Sequence, residues 1–186
     1  MEIVMKMNKI VLAMVMASGI ATFGAVAADE PVKATDQGSG NITFTGSIID
    51  APCSITPESS NQTVDLGQVS NSLLAKAGTS TPRNFTIDLE KCDTTTKKNV
   101  IITFGGSKDS VNDKLLGITG TAKGAGVALT DGSGTQITLG EASAARGLLA
   151  GNNKLNFSAY LQGNKIDGTV TPGEFTSVAN FTLAYP

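Results

Sequence analysis

The chain is a succession of short apolar runs that alternate with a period of two. Ile42, Phe44 and Ile48 alternate with Thr43, Thr45 and Ser47. Val64 and Leu66 form a shorter piece of the same kind. Phe85, Ile87 and Leu89 follow, then Val100, Ile102 and Phe104, then Val127 and Leu129, then Leu155, Phe157, Ala159 and Leu161. A strand with one buried face produces this pattern, because successive side chains point to opposite sides of a sheet. The runs are separated by turn formers: Gly105-Gly106, Asp131-Gly132-Ser133-Gly134, Gly151-Asn152-Asn153 and Thr171-Pro172-Gly173. Strands at this spacing predict an all-β sandwich. Helix is scarce. Residues 71–77, stopped by Gly78, predict one or two turns, and residues 141–149 predict another.

The last run is unusual. Residues 176–186 read TSVANFTLAYP, with Ala179, Phe181, Leu183 and Tyr185 on one face. Most domains end in a polar, loosely held tail. Here the apolar face continues to the penultimate residue. Such a strand pairs with an earlier strand or presents an edge to something else.

The first residues belong to targeting. Lys6 and Lys9 flank and precede an apolar run that ends in Ala25-Val26-Ala27-Ala28. A basic region, an apolar region and an A-x-A site make a secretory signal peptide, with cleavage expected after Ala27 or Ala28. The apolar run is short for a bilayer span. Removing residues 1–28 from a chain of 186 leaves enough for one domain. Of 14 basic and 16 acidic residues, Lys6, Lys9 and Glu2 leave with the leader, and the rest is weakly acidic. A weakly acidic chain without a basic patch argues against a nucleic-acid partner.

Cys53 and Cys92 are the two cysteines. In an exported protein an even count points to a disulfide, and two buried free thiols are the alternative. Two cysteines with no histidine leave almost nothing to build a zinc or copper site. The absence of histidine also removes every Ser-His-Asp or Cys-His arrangement. No nucleophile elbow or phosphate-binding loop occurs, and Gly120, Gly124 and Gly126 do not make a dinucleotide fingerprint. Asp88 and Glu90 share a parity opposite Phe85, Ile87 and Leu89, so they read as a solvated face and not as a catalytic pair. The expectation is a protein that is not an enzyme and needs no cofactor. Asn41, Asn61, Asn84, Asn156 and Asn180 each open an N-x-[ST] sequon, which an Asn- and Thr-rich chain produces by chance. Lys97 and Lys98, with Asp109 and Asp113, read as soluble surface or as contacts between neighbouring subunits.

Residues 29–40, DEPVKATDQGSG, are polar and end in a Gly-Ser-Gly stretch, the composition of a flexible leader. Yet Val32, Ala34, Gly38, Gly40, Ile42 and Phe44 share one parity. The leader is therefore continuous in register with the first alternating run, and it suits one long strand lying in a groove. A flexible tail with chance parity is the other reading.

The stretch NITFTGSIIDAPCSI from Asn41, TVDLGQVS at 63–70 and FTIDLEKCD at 85–93 together resemble the pilin subunits of chaperone–usher fimbriae in Gram-negative bacteria. The likeness is to the major rod subunits of P and type 1 pili. The first cysteine follows a strand and Ala-Pro, and the second sits in L-x-x-C-D. Tyr185 is the penultimate aromatic, and Gly173 lies at the fourteenth place from the end. The resemblance implies an incomplete immunoglobulin-like β-sandwich that lacks its final strand. It implies a groove lined by Gly173, Phe175, Ala179, Phe181, Leu183 and Tyr185. It implies that the Pro186 carboxylate anchors to a periplasmic chaperone, and that Gly173 permits the turn into the last strand. The division it suggests is a signal peptide at 1–28, a donor-strand extension at 29–45 and a pilin domain at 46–186. The partners are then identical or related pilins, the chaperone and an outer-membrane usher, and the place is a fimbrium on the cell surface. No particular host receptor is implied. Pilin donor-strand complementation is a named example of β-augmentation. Burying Val32, Ile42 and Phe44 in a neighbour would contribute roughly 1.5–3 kcal/mol each, less for Val. Ordering the leader opposes this. A minor adaptor or tip subunit is the alternative within the same resemblance.

Overall fold

A computed structural model describes residues 38–165 and 167–186. The chain divides between Gly46 and Ser47, and every regular element among the described residues belongs to the second unit. In chain order these are β1 Ser54–Ile55, α1 Pro57–Ser60, α2 Asn71–Leu74, a 3₁₀ turn at Ala75–Ala77, β2 Arg83–Cys92, β3 Asn99–Gly106, β4 Thr119–Gly120, β5 Ala125–Asp131, β6 Arg146–Gly147, β7 Gly151–Gly163, β8 Phe175–Thr176 and β9 Ala179–Ala184.

The strands form one sheet of order β1-β2-β7-β5, a second of order β6-β3-β9 and a small pair β4-β8. All pairings are antiparallel. The predicted periodicity accounts for the main ladders. Phe85 lies opposite Phe157 and Ile87 opposite Leu155 in the β2–β7 ladder. The inward parity of these strands and of β3 supplies the core, with Ile87, Leu89, Val100 and Ile102 at most 1% exposed. Phe104 of β3 meets Phe157 of β7 at 5.0 Å between centroids, edge to face, so aromatic contact bridges the two sheets.

β5 departs from the period-two expectation because both of its faces are covered. Ala125 through Thr130 are all buried. The chain before β5 lies against it, and a Cβ at Gly126 would stand 2.8 Å from both the Leu115 Cβ and the Leu116 carbonyl. A side chain there would push that cover away. The outward Thr130 avoids an unpaired buried hydroxyl by sharing a hydrogen bond with the Ser158 hydroxyl of β7.

The turns expected over residues 71–77 are present as α2 and the 3₁₀ turn. The Ser70 hydroxyl accepts the Ser72 N–H at 3.3 Å, an N-cap. The helix expected over 141–149 does not form. That segment runs extended along the edge of β3, where Ser143 N–H donates to Ile102 O at 2.8 Å and Ile102 N–H donates to the Ser143 hydroxyl at 3.0 Å. Arg146 pairs with Val100 in the β6–β3 ladder. The edge of β3 offers peptide partners that a short isolated helix does not, and the ladder wins.

Two other expected strands also fail to form a ladder. Val64 and Leu66 are half-buried, but the segment turns at Asp65, whose carboxylate accepts the Gly67 N–H at 2.8 Å. The run through Ile42, Phe44 and Ile48 has no regular secondary structure. Alternation marks a face, but a strand also needs a neighbour, and among the described residues no ladder reaches this run. Asp88 lies opposite Lys154 across the β2–β7 ladder, with an ion pair of 3.7 Å on the outer face.

Candidate functional site

β9 is the outermost strand of its sheet. It pairs with β3 along one side, from Ile101 opposite Ala184 to Gly106 opposite Ala179. Among the described residues no strand pairs with its other side.

The direction of each peptide group along β9 follows from its neighbour. On β3 the even-numbered groups turn away from β9: Phe104 O accepts from Gly140, Ile102 O from Ser143, and Lys98 O, just before the strand, from Leu148, at 2.7, 2.8 and 2.8 Å. Peptide groups alternate along an antiparallel strand. Ile101, Thr103 and Gly105 therefore turn toward β9, where they face Ala184, Thr182 and Asn180. By the same alternation, the peptide groups of Phe181, Leu183 and Tyr185 point to the open side.

The side chains of those same three residues face inward. Phe181, Leu183 and Tyr185 are half-buried and packed on the core, while Asn180, Thr182 and Ala184 are exposed. Phe181 reaches Phe104 at 6.2 Å between centroids. Partial burial raises the Tyr185 hydroxyl above its ordinary pKa. Along this row the core is roofed on one side only. Exposed edges are usually blunted by charge or proline. Residues 177–185, SVANFTLAY, carry neither until Pro186.

Other residues implicated by sequence lie elsewhere. Phe175 is half-buried on β8, opposite Gly120 of β4, in the small separate sheet. Ala179 is exposed at the start of β9 and faces Gly106. Gly173 sits against residues 121–122, where an added Cβ would collide with the Thr121 hydroxyl and approach Ala122 N to 2.6 Å. The neighbouring Glu174 carbonyl accepts from Thr121 and Ala122 at 3.0 and 3.1 Å. A close backbone approach thus accounts for Gly173. Pro186 is exposed. Gly38, Gly40, Ile42 and Phe44 carry no regular secondary structure, and Ile42 and Phe44 are 80% and 87% exposed. Val32, Ala34 and the cleavage residues Ala27 and Ala28 lie outside the described residues.

The segment entering the sandwich is tied down by Cys53 and Cys92, which are disulfide-bonded. β1 pairs with β2 beside the bridge, and Asp93 N–H donates to Pro52 O at 2.9 Å. β2 carries one extra residue here: Leu89 and Cys92 span three steps while their partners Asn153 and Gly151 span two. Lys91 adopts φ +53 in this bulge. Replacing both cysteines with alanine is expected to remove about 4 kcal/mol, the chain-entropy value for a loop of this size. Denaturant unfolding of the double variant beside the parent measures it.

One contact had no sequence signal. Lys97 Nζ donates to Tyr185 O at 2.6 Å. Of the residues grouped with Lys97 in the sequence, Asp109 accepts through its carboxylate from Val111 and Asn112 N–H and from the Asn164 amide. Among the described residues no cluster of His, Cys, Asp and Glu is placed to hold a metal ion, and no helix is long and apolar enough to cross a membrane.

Known proteins resemble this chain in sequence and in fold. The fimbrial protein family model matches residues 42–186. The chain is 54% identical to the Fimbria A protein of Serratia marcescens, over 97% of this chain and 99% of that one. It is 50% identical to the major MR/P fimbria protein of Proteus mirabilis strain HI4320, over 97% and 99%. Among solved structures, it resembles a subunit of a chaperone–usher pilus described for its rod uncoiling, with TM-score 0.71 and 32% identity over 81% of this chain and 97% of that one. It also resembles the P pilus rod subunit PapA, with TM-score 0.66 and 31% identity over 73% and 100%. These likenesses place the sandwich in the immunoglobulin-like all-β class.

Proposed function

The chain belongs to the fimbrial protein family, and from that premise we propose that it polymerises by giving a strand to one copy of itself and taking a strand from another. It is a structural pilin of a surface fimbria. The carrying observation is the open side of β9: among the described residues no strand pairs with the outward peptide groups of Phe181 and Leu183, and these lie in the half-buried apolar row of Phe181, Leu183 and Tyr185. An added strand would satisfy both at once: main-chain bonds to the edge, and alternate apolar side chains over the row.

The occupant is the leader of a neighbouring copy. Residues 29–45 form the donor extension, with Val32, Ala34, Gly38, Gly40, Ile42 and Phe44 on the inserted face, and residues 46–186 form the accepting domain. The exposure of Ile42 and Phe44 fits a segment whose burial is completed in another molecule. Residues 1–28 serve export and are removed after Ala27 or Ala28. An apolar edge of this kind is an aggregation hazard before assembly, which gives a periplasmic chaperone its purpose. That chaperone holds the Pro186 carboxylate and the β9 edge until an outer-membrane usher exchanges it for the next leader. No step in this assembly asks for catalysis. The relatives named as major subunits favour a rod pilin over a minor adaptor or tip subunit.

Strand exchange traps each copy kinetically, because release requires pulling out a whole strand. Fibres sheared from cells are expected to run as a ladder of multiples in SDS at room temperature and to collapse to a single band only on strong heating. A single monomer band without heating would count against the reading.

A further inference from the structure

The peptide groups of Phe181, Leu183 and, just past the strand, Tyr185 face the open side of β9, and the last is already engaged. Lys97 Nζ holds the Tyr185 carbonyl from the turn between β2 and β3, 88 residues away in sequence. That turn is braced. Cys92 is disulfide-bonded to Cys53, Asp93 N–H donates to Pro52 O at 2.9 Å, and the Asp93 carboxylate accepts the Thr95 N–H at 2.9 Å. Immediately beyond Tyr185, Pro186 has no N–H with which to continue a ladder.

A strand laid along an edge needs something to set its register. Apolar alternation fixes which face is inward, and a one-residue slip is costly because it inverts every side chain. A two-residue slip keeps the parity. Along β9 such slips step from Phe181 to Leu183 to Tyr185. A slip that extends the ladder to Tyr185 needs the Tyr185 carbonyl as its acceptor. A cationic donor already in place there is stronger than the neutral amide that would displace it.

We propose that Lys97 is a register stop. It holds the Tyr185 carbonyl and so makes Leu183 the last position at which an incoming strand pairs with β9. Lys97 is a positioning residue for strand acceptance, acting through the Tyr185 carbonyl that it holds. The inference rests on the reading that β9 accepts a strand from another copy.

The test uses the full chain refolded with a synthetic peptide of residues 29–46, in the parent and in Lys97→Met and Lys97→Arg. Cross-strand NMR contacts report the last pair formed, and competition with unlabelled peptide reports dissociation. In Lys97→Met the contacts are expected to extend to Tyr185, and the peptide should leave about fivefold more slowly, the effect of one added main-chain hydrogen bond. Lys97→Arg, which keeps a cationic donor, should behave as the parent. In the parent itself, the ¹³C shift of the Tyr185 carbonyl should be unchanged by peptide. Identical contacts and dissociation in Lys97→Met, or a Tyr185 carbonyl shift that moves in the parent, would overturn the register stop and leave strand acceptance intact. A parent chain that does not take up the peptide at all would refute strand acceptance, and the register stop with it.

Discussion

A chain carrying Phe44→Arg is expected to fold, to accept a strand from another copy, and to be unable to donate its own. Phe44 is 87% exposed and, among the described residues, belongs to no ladder, so the change removes little burial within its own molecule. The loss falls on the neighbour. Burial of a phenylalanine contributes about 1.5–3 kcal/mol, and an unpaired guanidinium forced into an apolar groove adds a desolvation penalty of several kcal/mol. Together these exceed what one contact in a strand interface can lose without losing the interface. Ile42→Arg, and deletion of residues 29–40, should act alike. Expressed alone, each should give subunit that stays in the periplasm and no SDS-resistant ladder. Expressed with the parent, each should enter fibres only at positions where it accepts, and so shorten them. Normal fibres built from Phe44→Arg alone would eliminate the donor reading, because no other segment outside the sandwich carries the matching apolar parity.

Truncation after Asn180 should have the largest effect on the folded subunit. Removing residues 181–186 strips β3 of its partner across Ile101, Ile102, Thr103 and Phe104. It also uncovers the core beneath Phe181, Leu183 and Tyr185. Three half-buried side chains of this size account for roughly 3–5 kcal/mol when each is discounted for its exposure, before the ladder is counted. Whole domains have about 5–15 kcal/mol in total. The truncated chain should be degraded in cells and absent from both periplasm and fibres. A stable, soluble truncated monomer would show that β9 is dispensable to the fold, and it would move the accepting edge elsewhere.

The two largest effects arise from opposite ends of the chain and from different physical states. Ile42 and Phe44 are exposed in their own molecule, so their substitutions are expected to be read out in assembly. β9 is both a wall of the core and the open edge, so its loss is read out in folding first. Lys97 falls between these. It touches only the end of β9, and its substitution should alter where a strand stops without deciding whether the sandwich forms.

Much of this was legible before any coordinates. Phe85, Ile87 and Leu89, Val100, Ile102 and Phe104, and Phe181 and Leu183 sit on strands with one buried and one exposed face, and period-two alternation reports that state directly. The even cysteine count of an exported chain pointed to the bridge between Cys53 and Cys92 that the structure contains. The departures have particular causes. Residues 141–149 have the composition of a short helix, yet the unpaired edge of β3 draws them into an extended ladder. β5 hides its periodicity because Leu115 and Leu116 cover the face that would otherwise be polar. Val64 and Leu66 alternate, but the turn at Asp65 takes them out of any sheet.

The chain's own pattern therefore determined which residues form strands and which face of each is apolar, since both follow from alternation over a few neighbours. The tertiary structure alone decided which strand stands next to which. That is a matter of contacts between residues far apart in sequence: β9 against β3 with, among the described residues, no strand beyond it, Arg146 against Val100, the Lys97 ammonium on the Tyr185 carbonyl. An open edge is a property of a sheet and not of any strand in it, so no local pattern can state it.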